Sequence, residues 1–175
     1  GLDGPHDMVF DPDGNLLVTS MLTNEVKQFR GPEVIRYDGP AAAVPGTFID
    51  VFVPAGSGGL VTPRGLQFHD GNLLVADFDG DSVLRYEGPA AAAPAVPGTF
   101  KDVFVLAGSG GLENPADIAI DLYGNLYVSG HASDNVLRFD AVSGDFIDEY
   151  VPAGNNGGLD GPHDMVFDPD GNLLV

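Results

Sequence analysis

At 175 residues, 43% of them hydrophobic, the chain has ample material for a core, and the absence of cysteine leaves its redox compartment open. Twenty-six acidic residues against seven basic ones give a formal charge of −19, which argues against binding to nucleic acid or insertion into anionic membranes because no basic stripe offsets the repulsion. No apolar run approaches the eighteen residues of a membrane-spanning helix.

Reading from the start, GLDGPHDMVFDPDGNLLV fills residues 1–18 and returns letter for letter at 158–175. A match of that length points to internal repetition, and a shorter period lies between the two copies. GGL followed by a proline-containing turn recurs at Gly58, Gly110 and Gly157, dividing the chain into units 1–58, 59–110, 111–157 and 158–175. Within the first unit, short apolar runs at Met8 to Phe10, Leu16 to Val18, Val34 to Tyr37 and Phe48 to Val53 are rich in β-branched and aromatic side chains and bounded by Gly, Pro, Asp or Asn. They read as four strands, and no window sustains the apolar spacing of a helix. DPDGN supplies Asp, Pro and Gly where a tight hairpin turn needs them.

In that unit EVKQFRGP at 25–32 is followed at once by EVIRYDGP at 33–40, a tandem copy expected to add a hairpin or bulge at the third strand. The segments GPAAAVPG and GPAAAAPAVPG, between the third and fourth strands of units one and two, are expected to be extended, exposed rim loops. AGSGGL joins one unit to the next and carries no phosphate-binding role. The predicted fold is therefore all-β: a β-propeller of four-stranded antiparallel blades, with three blades plus a half-blade in the chain.

The recurring PxDIxxDxxGNLYVS, NxVLRFD and GxFID patterns resemble the NHL-repeat propellers of secreted bacterial type, and GPHD with DPDGN is similar to virginiamycin B lyase-like six-bladed propellers. The resemblance covers essentially the whole chain. It implies the propeller fold, an extracellular or secreted setting reached by a leader outside this stretch, and a functional face around the central channel. Since a partial ring leaves apolar blade faces uncovered, the ring is expected to be completed by another chain in a homodimer or higher oligomer, or by further units of a longer array.

On the channel face the turn prolines are followed by His6, Arg64, Ala116 and His163, and the nearby loops hold Asp77, Asp79, Asp81 and His131. His6, His131 and His163 with Asp77, Asp79 or Asp7 are candidate ligands of a zinc-type ion, since imidazole and carboxylate suit such metals. Asp77, Asp79 and Asp81 alternate as in a calcium loop. The glycine and the final glutamate of an EF-hand are Ser82 and Gly88, so only a looser Ca²⁺ site is in question. Three functions follow: a non-enzymatic binding or structural scaffold for a protein or glycan ligand, a metal-dependent lyase or lactonase, or a self-assembling fibre or layer element.

Overall fold

The runs are continuously apolar over three or four residues, as in Leu16-Leu17-Val18 and Leu73-Leu74-Val75-Ala76, and successive side chains point to opposite faces, so a sheet flanked on both sides is apolar on both. The computed structural model describes residues 2–21 and 33–175. In it the runs become β1 (Pro5–Phe10), β2 (Leu16–Ser20), β3 (Glu33–Tyr37) and β4 (Phe48–Val53), then β5 (Pro63–His69), β6 (Asn72–Asp77), β7 (Ser82–Glu87) and β8 (Phe100–Val105). The third set is β9 (Pro115–Ile120), β10 (Asn125–Gly130), β11 (Asn135–Asp140) and β12 (Phe146–Val151), followed by the short pair β13 (Val166–Phe167) and β14 (Leu173–Leu174). Each set of four forms one antiparallel sheet in sequence order, and β13 pairs with β14. Three blades and a two-strand stub are thus in place, with β1 against β5 and β5 against β9 along the inside.

Three apolar layers join the blades. Leu17, Val34, Phe52 and Val53 of the first pack on Leu66, Leu73, Leu84 and Tyr86 of the second. Leu74, Ala76, Val83 and Phe104 of the second pack on Ile118, Leu126, Leu137 and Phe139 of the third. Ala119, Tyr127 and Val136 of the third pack on Met165, Phe167 and Leu173 of the stub. Each complete blade is also tied by one bidentate ion pair between its third and fourth strands, Arg36 to Asp50, Arg85 to Asp102 and Arg138 to Asp148.

The DPDGN turn holds itself together. Asp11 accepts from the Asn15 backbone N–H at 2.7 Å and from Asn15 Nδ2 at 3.0 Å, and Asp121 with Asn125 and Asp168 with Asn172 repeat the arrangement. The connectors are tight turns at Ser57–Gly59 and Ser109–Gly111. Gly58 and Gly110 take φ of 66° and 65°, and a Cβ on either would stand 2.0 or 2.3 Å from the ring of Phe100 or Phe146. Those glycines are required by conformation and by the aromatic ring seated on them.

One expectation needs correcting. The Ala/Pro loops are exposed but wound rather than extended: Ala42 donates to the Gly39 carbonyl, Gly46 to that of Asp38, and Ala95 to that of Ala92. Backbone bonds between residues three to eight apart offset part of the entropy that an extended loop would retain. The tandem copy at 25–32 lies outside the described residues; EVIRY of the second copy forms β3. Among the described residues no helix is long and apolar enough to cross a membrane.

Candidate binding site

Each inner strand begins with a bulge. Pro5 faces Ser20 and Met8 faces Val18, so three steps on β1 span two on β2, and the same offset separates Pro63 from Leu66 and Pro115 from Ile118. A bulge turns its extra residues out of the pleat, and here those positions hold His6 and Asp7, Arg64 and Gly65, and Ala116 and Asp117. The two residues after each turn proline are thereby presented at one end of the channel.

Four units converge there. The rings of His6 and His163 stack with centroids 6.0 Å apart, His163 and His131 lie at 4.7 Å, and His131 and Phe78 at 5.5 Å. The Arg64 guanidinium lies flat on Phe78, its carbon 3.3 Å from the ring centroid, a cation–π stack. Arg64 Nε and Nη1 are buried with no hydrogen-bond partner, and so is His131 Nδ1. Among the described residues Arg64 is the only Lys or Arg side chain without an ion pair. Asp79 acts on it only through the field between them.

Burial, then the Arg64 charge, hold both His6 and His163 below the ordinary imidazole value. The mouth therefore carries a permanent guanidinium beside imidazoles that are neutral at physiological pH. Carboxylates stand near it: Asp164 acts on both imidazoles and Asp79 on the guanidinium.

One step further into the channel stand the carboxylates. Asp7 Oδ2 accepts from the Leu66 backbone N–H at 2.7 Å, latching β1 to β5, and Asp117 Oδ2 accepts from the Met165 N–H at 2.7 Å, latching β9 to the stub. Between them the equivalent residue is Gly65, where a Cβ would stand 2.6 Å from the Asp117 Cα. Burial raises Asp7, and it raises Asp117 to about 7, with Asp7 and Asp164 adding like charge.

The residues expected to share a metal are divided. His6, His131 and His163 do meet, but around Arg64. Asp77 is buried and accepts from the backbone N–H groups of Val61 and Thr62 at 3.0 and 2.7 Å. Asp79 accepts from the Thr62 hydroxyl, and Asp81, at φ 52°, from the Asn114 N–H at 2.7 Å. The three aspartates thus fasten successive connectors to their neighbours. Among the described residues no group of three or more His, Asp or Glu side chains is placed to hold a metal ion. Arg64 was noted in the sequence only as a departure from histidine, and nothing local marks its contact with Phe78.

Several solved structures share the fold. One assigned as a gluconolactonase aligns with a TM-score of 0.66 at 22% identity, over 98% of this chain and 55% of its own. A Nidogen/Laminin complex gives 0.60 at 23% identity, over 88% and 49%, and virginiamycin B lyase from Staphylococcus aureus gives 0.57 at 15%, over 95% and 46%. The fold is an NHL-like β-propeller. The chain spans about half the length of these propellers. No family model and no curated relative matches the sequence. At such identities the likeness concerns the fold, and function has to be argued from the site.

Proposed function

We propose that this propeller is a non-enzymatic binding module whose channel mouth takes an anionic group, a carboxylate or phosphate, of its ligand. The observation that carries the reading is Arg64: a guanidinium oriented by Phe78, with two buried N–H-bearing atoms unpartnered and three imidazoles around it. A planar, fixed guanidinium suits a bidentate anion, and the imidazoles add donors on either side. A bare cation would face the Arg64 charge first. Calorimetric titration with inorganic phosphate at low ionic strength tests this. Saturable binding that Arg64→Ala weakens at least about tenfold supports the reading; no binding, or equal binding by the variant, refutes it.

A catalytic reading rests on a different observation. Asp117, raised to about 7, has the value of a carboxyl that exchanges protons at neutral pH, and two of the similar structures carry lactonase and lyase names. Acid release from a gluconolactone, lost in Asp117→Asn, would favour it. No release above the uncatalysed rate leaves the binding module.

A further inference from the structure

Arg64, Ala116 and His163 occupy the same position in three successive units, each directly after the turn proline. Upstream, all three are held alike: the residue two before donates its backbone N–H to an aspartate, Thr62 to Asp77 at 2.7 Å, Asn114 to Asp81 at 2.7 Å and Gly161 to Asp134 at 2.8 Å. Downstream they differ. The N–H of Leu66, two after Arg64, reaches Asp7 of blade one, and the N–H of Met165, two after His163, reaches Asp117 of blade three, each at 2.7 Å. Two after Ala116 comes Ile118, whose N–H turns to Asp117 of its own strand, and blade two offers it Gly65, which has no side chain to accept it.

The clasping carboxylates are themselves placed. The bulge takes the N–H of Asp7 and of Asp117 out of the ladder, and the facing residue of β2 or β10 supplies a hydroxyl in its stead: Thr19 Oγ1 accepts from Asp7 at 2.8 Å and Ser129 Oγ from Asp117 at 2.9 Å. Ser129 also donates to the His163 carbonyl at 3.4 Å. In blade two the residue facing Arg64 and Gly65 is Ala76, between the pairs Pro63 with Asp77 and Leu66 with Val75, and a Cβ on Gly65 would stand 2.6 Å from the Asp117 Cα. Hydroxyl, carboxylate and clasp occur together in blades one and three and are absent together in blade two. The strand left unclasped is the one whose mouth residue is alanine.

We propose that Asp7 and Asp117 are positioning residues of the anion mouth proposed above: through Leu66 and Met165 each fixes the strand that presents Arg64 or His163, so the carboxylate tier sets which blades take part in binding. A hydrogen bond from a backbone N–H to a carboxylate is charge-assisted and directional. Arg64 needs such a hold because Gly65, the residue with the freest backbone, follows it at once; Asp77 fixes the chain before Arg64 and Asp7 fixes it beyond the glycine. The guanidinium can then keep its place on Phe78, 3.3 Å from carbon to ring centroid, and bind a planar or tetrahedral anion in one orientation. His163 is bracketed in the same way by Asp134 and Asp117.

Calorimetric titration with sulfate at pH 8 and low ionic strength, on Asp7→Asn and Asp7→Ala, separates the clasp from the charge. Both variants lose the same negative charge, and only Asn keeps an acceptor for the Leu66 N–H. The expected result is that Asp7→Asn binds sulfate at least as tightly as the parent, whereas Asp7→Ala binds about fivefold more weakly or worse. In an Arg64→Ala background Asp7→Ala is expected to change nothing further, a coupling that a loss of general stability would not produce. Equal affinities of the Asn and Ala variants would overturn the positioning role. A parent that takes up no sulfate would refute the anion reading alone, because a second arm needs no ligand. The His163 ring lies 4.7 Å from that of His131, so its imidazole resonance carries a ring-current shift. Asp117→Ala is expected to displace the His163 resonance at pH 8, with Asp117→Asn leaving it near the parent position and His69 unmoved in both. Identical imidazole spectra from the two Asp117 variants would overturn the proposal whether or not sulfate binds.

Discussion

Replacing Asp117 by Asn probes the channel carboxylates directly. Asp117 is drawn out of water between β9 and the stub, and burial, with the charges of Asp7 and Asp164 behind it, lifts its carboxyl from 3.8 to about 7 in the folded chain. An acid whose folded value is raised holds its proton in the native state after the unfolded chain has released it. Its ionisation therefore subtracts stability progressively as pH rises from about 4 to about 7. The gap amounts to at most about 4 kcal/mol at pH 8. Asn retains an acceptor for the Met165 N–H and has no charge to desolvate. Asp121, Asp140 and Asp168, held low by hydrogen bonds from their turns, change the balance only as pH falls below the ordinary aspartate value, so they are constant between pH 5 and 8. His6 and His163, held below the ordinary imidazole value, add stability as pH rises toward that value, equally in both proteins. Urea midpoints of the two proteins at pH 5 and 8 isolate the Asp117 contribution. The variant gains about 1 to 3 kcal/mol on the parent between those two pH values, roughly the span the shift permits; parallel pH profiles would show that Asp117 ionises as in water.

Affinity for sulfate, whose charge is constant from pH 8 to 5, rises as pH falls below the ordinary imidazole value, since protonation of His6 and His163 adds charge beside Arg64 and a bound anion favours their charged forms; a flat titration over that range contradicts this. Gly65→Ala forces a methyl to within 2.6 Å of the Asp117 Cα and is expected to destabilise the chain by roughly 1 to 3 kcal/mol, seen as a lower thermal midpoint. An unchanged midpoint would mean that β5 and β9 separate freely. Arg85→Ala removes the ion pair to Asp102 and the stack on Phe104 at 4.6 Å. With Asp102 43% exposed, the loss is about 1 kcal/mol, read from denaturant unfolding.

The sheets were legible because each strand carries its own pattern. Leu16 to Val18 and its copies announce a strand, Asp11 to Asn15 announces its turn, and GSGG marks the passage to the next blade, all within ten residues. What escaped the sequence depends on pairs far apart in the chain. The bulge that turns out His6 and Arg64 leaves no mark in PHDMVF or PRGLQF beyond the proline, and its effect appears only when β1 pairs with β2. The three histidines were identified, but their companion is Arg64 rather than the aspartates. Asp77, Asp79 and Asp81 look alike as alternating acids and are separated by the backbone donors each meets: Val61 with Thr62, the Thr62 hydroxyl, and Asn114. Alternating carboxylates specify a calcium loop only if the chain folds around a common centre, and a propeller connector does not.

The central claim is that the mouth formed by Arg64, His6, His131 and His163 is one anion site. Imidazole NMR across a titration with inorganic phosphate tests it most directly, because the fourth histidine, His69, lies beside Asp70 on a hairpin outside the mouth and serves as an internal reference. The account predicts that the resonances of His6, His131 and His163 move together along one saturating curve while His69 stays still, and that Arg64→Ala abolishes the movement. Independent curves, a response from all four histidines alike, or no response at all would contradict it.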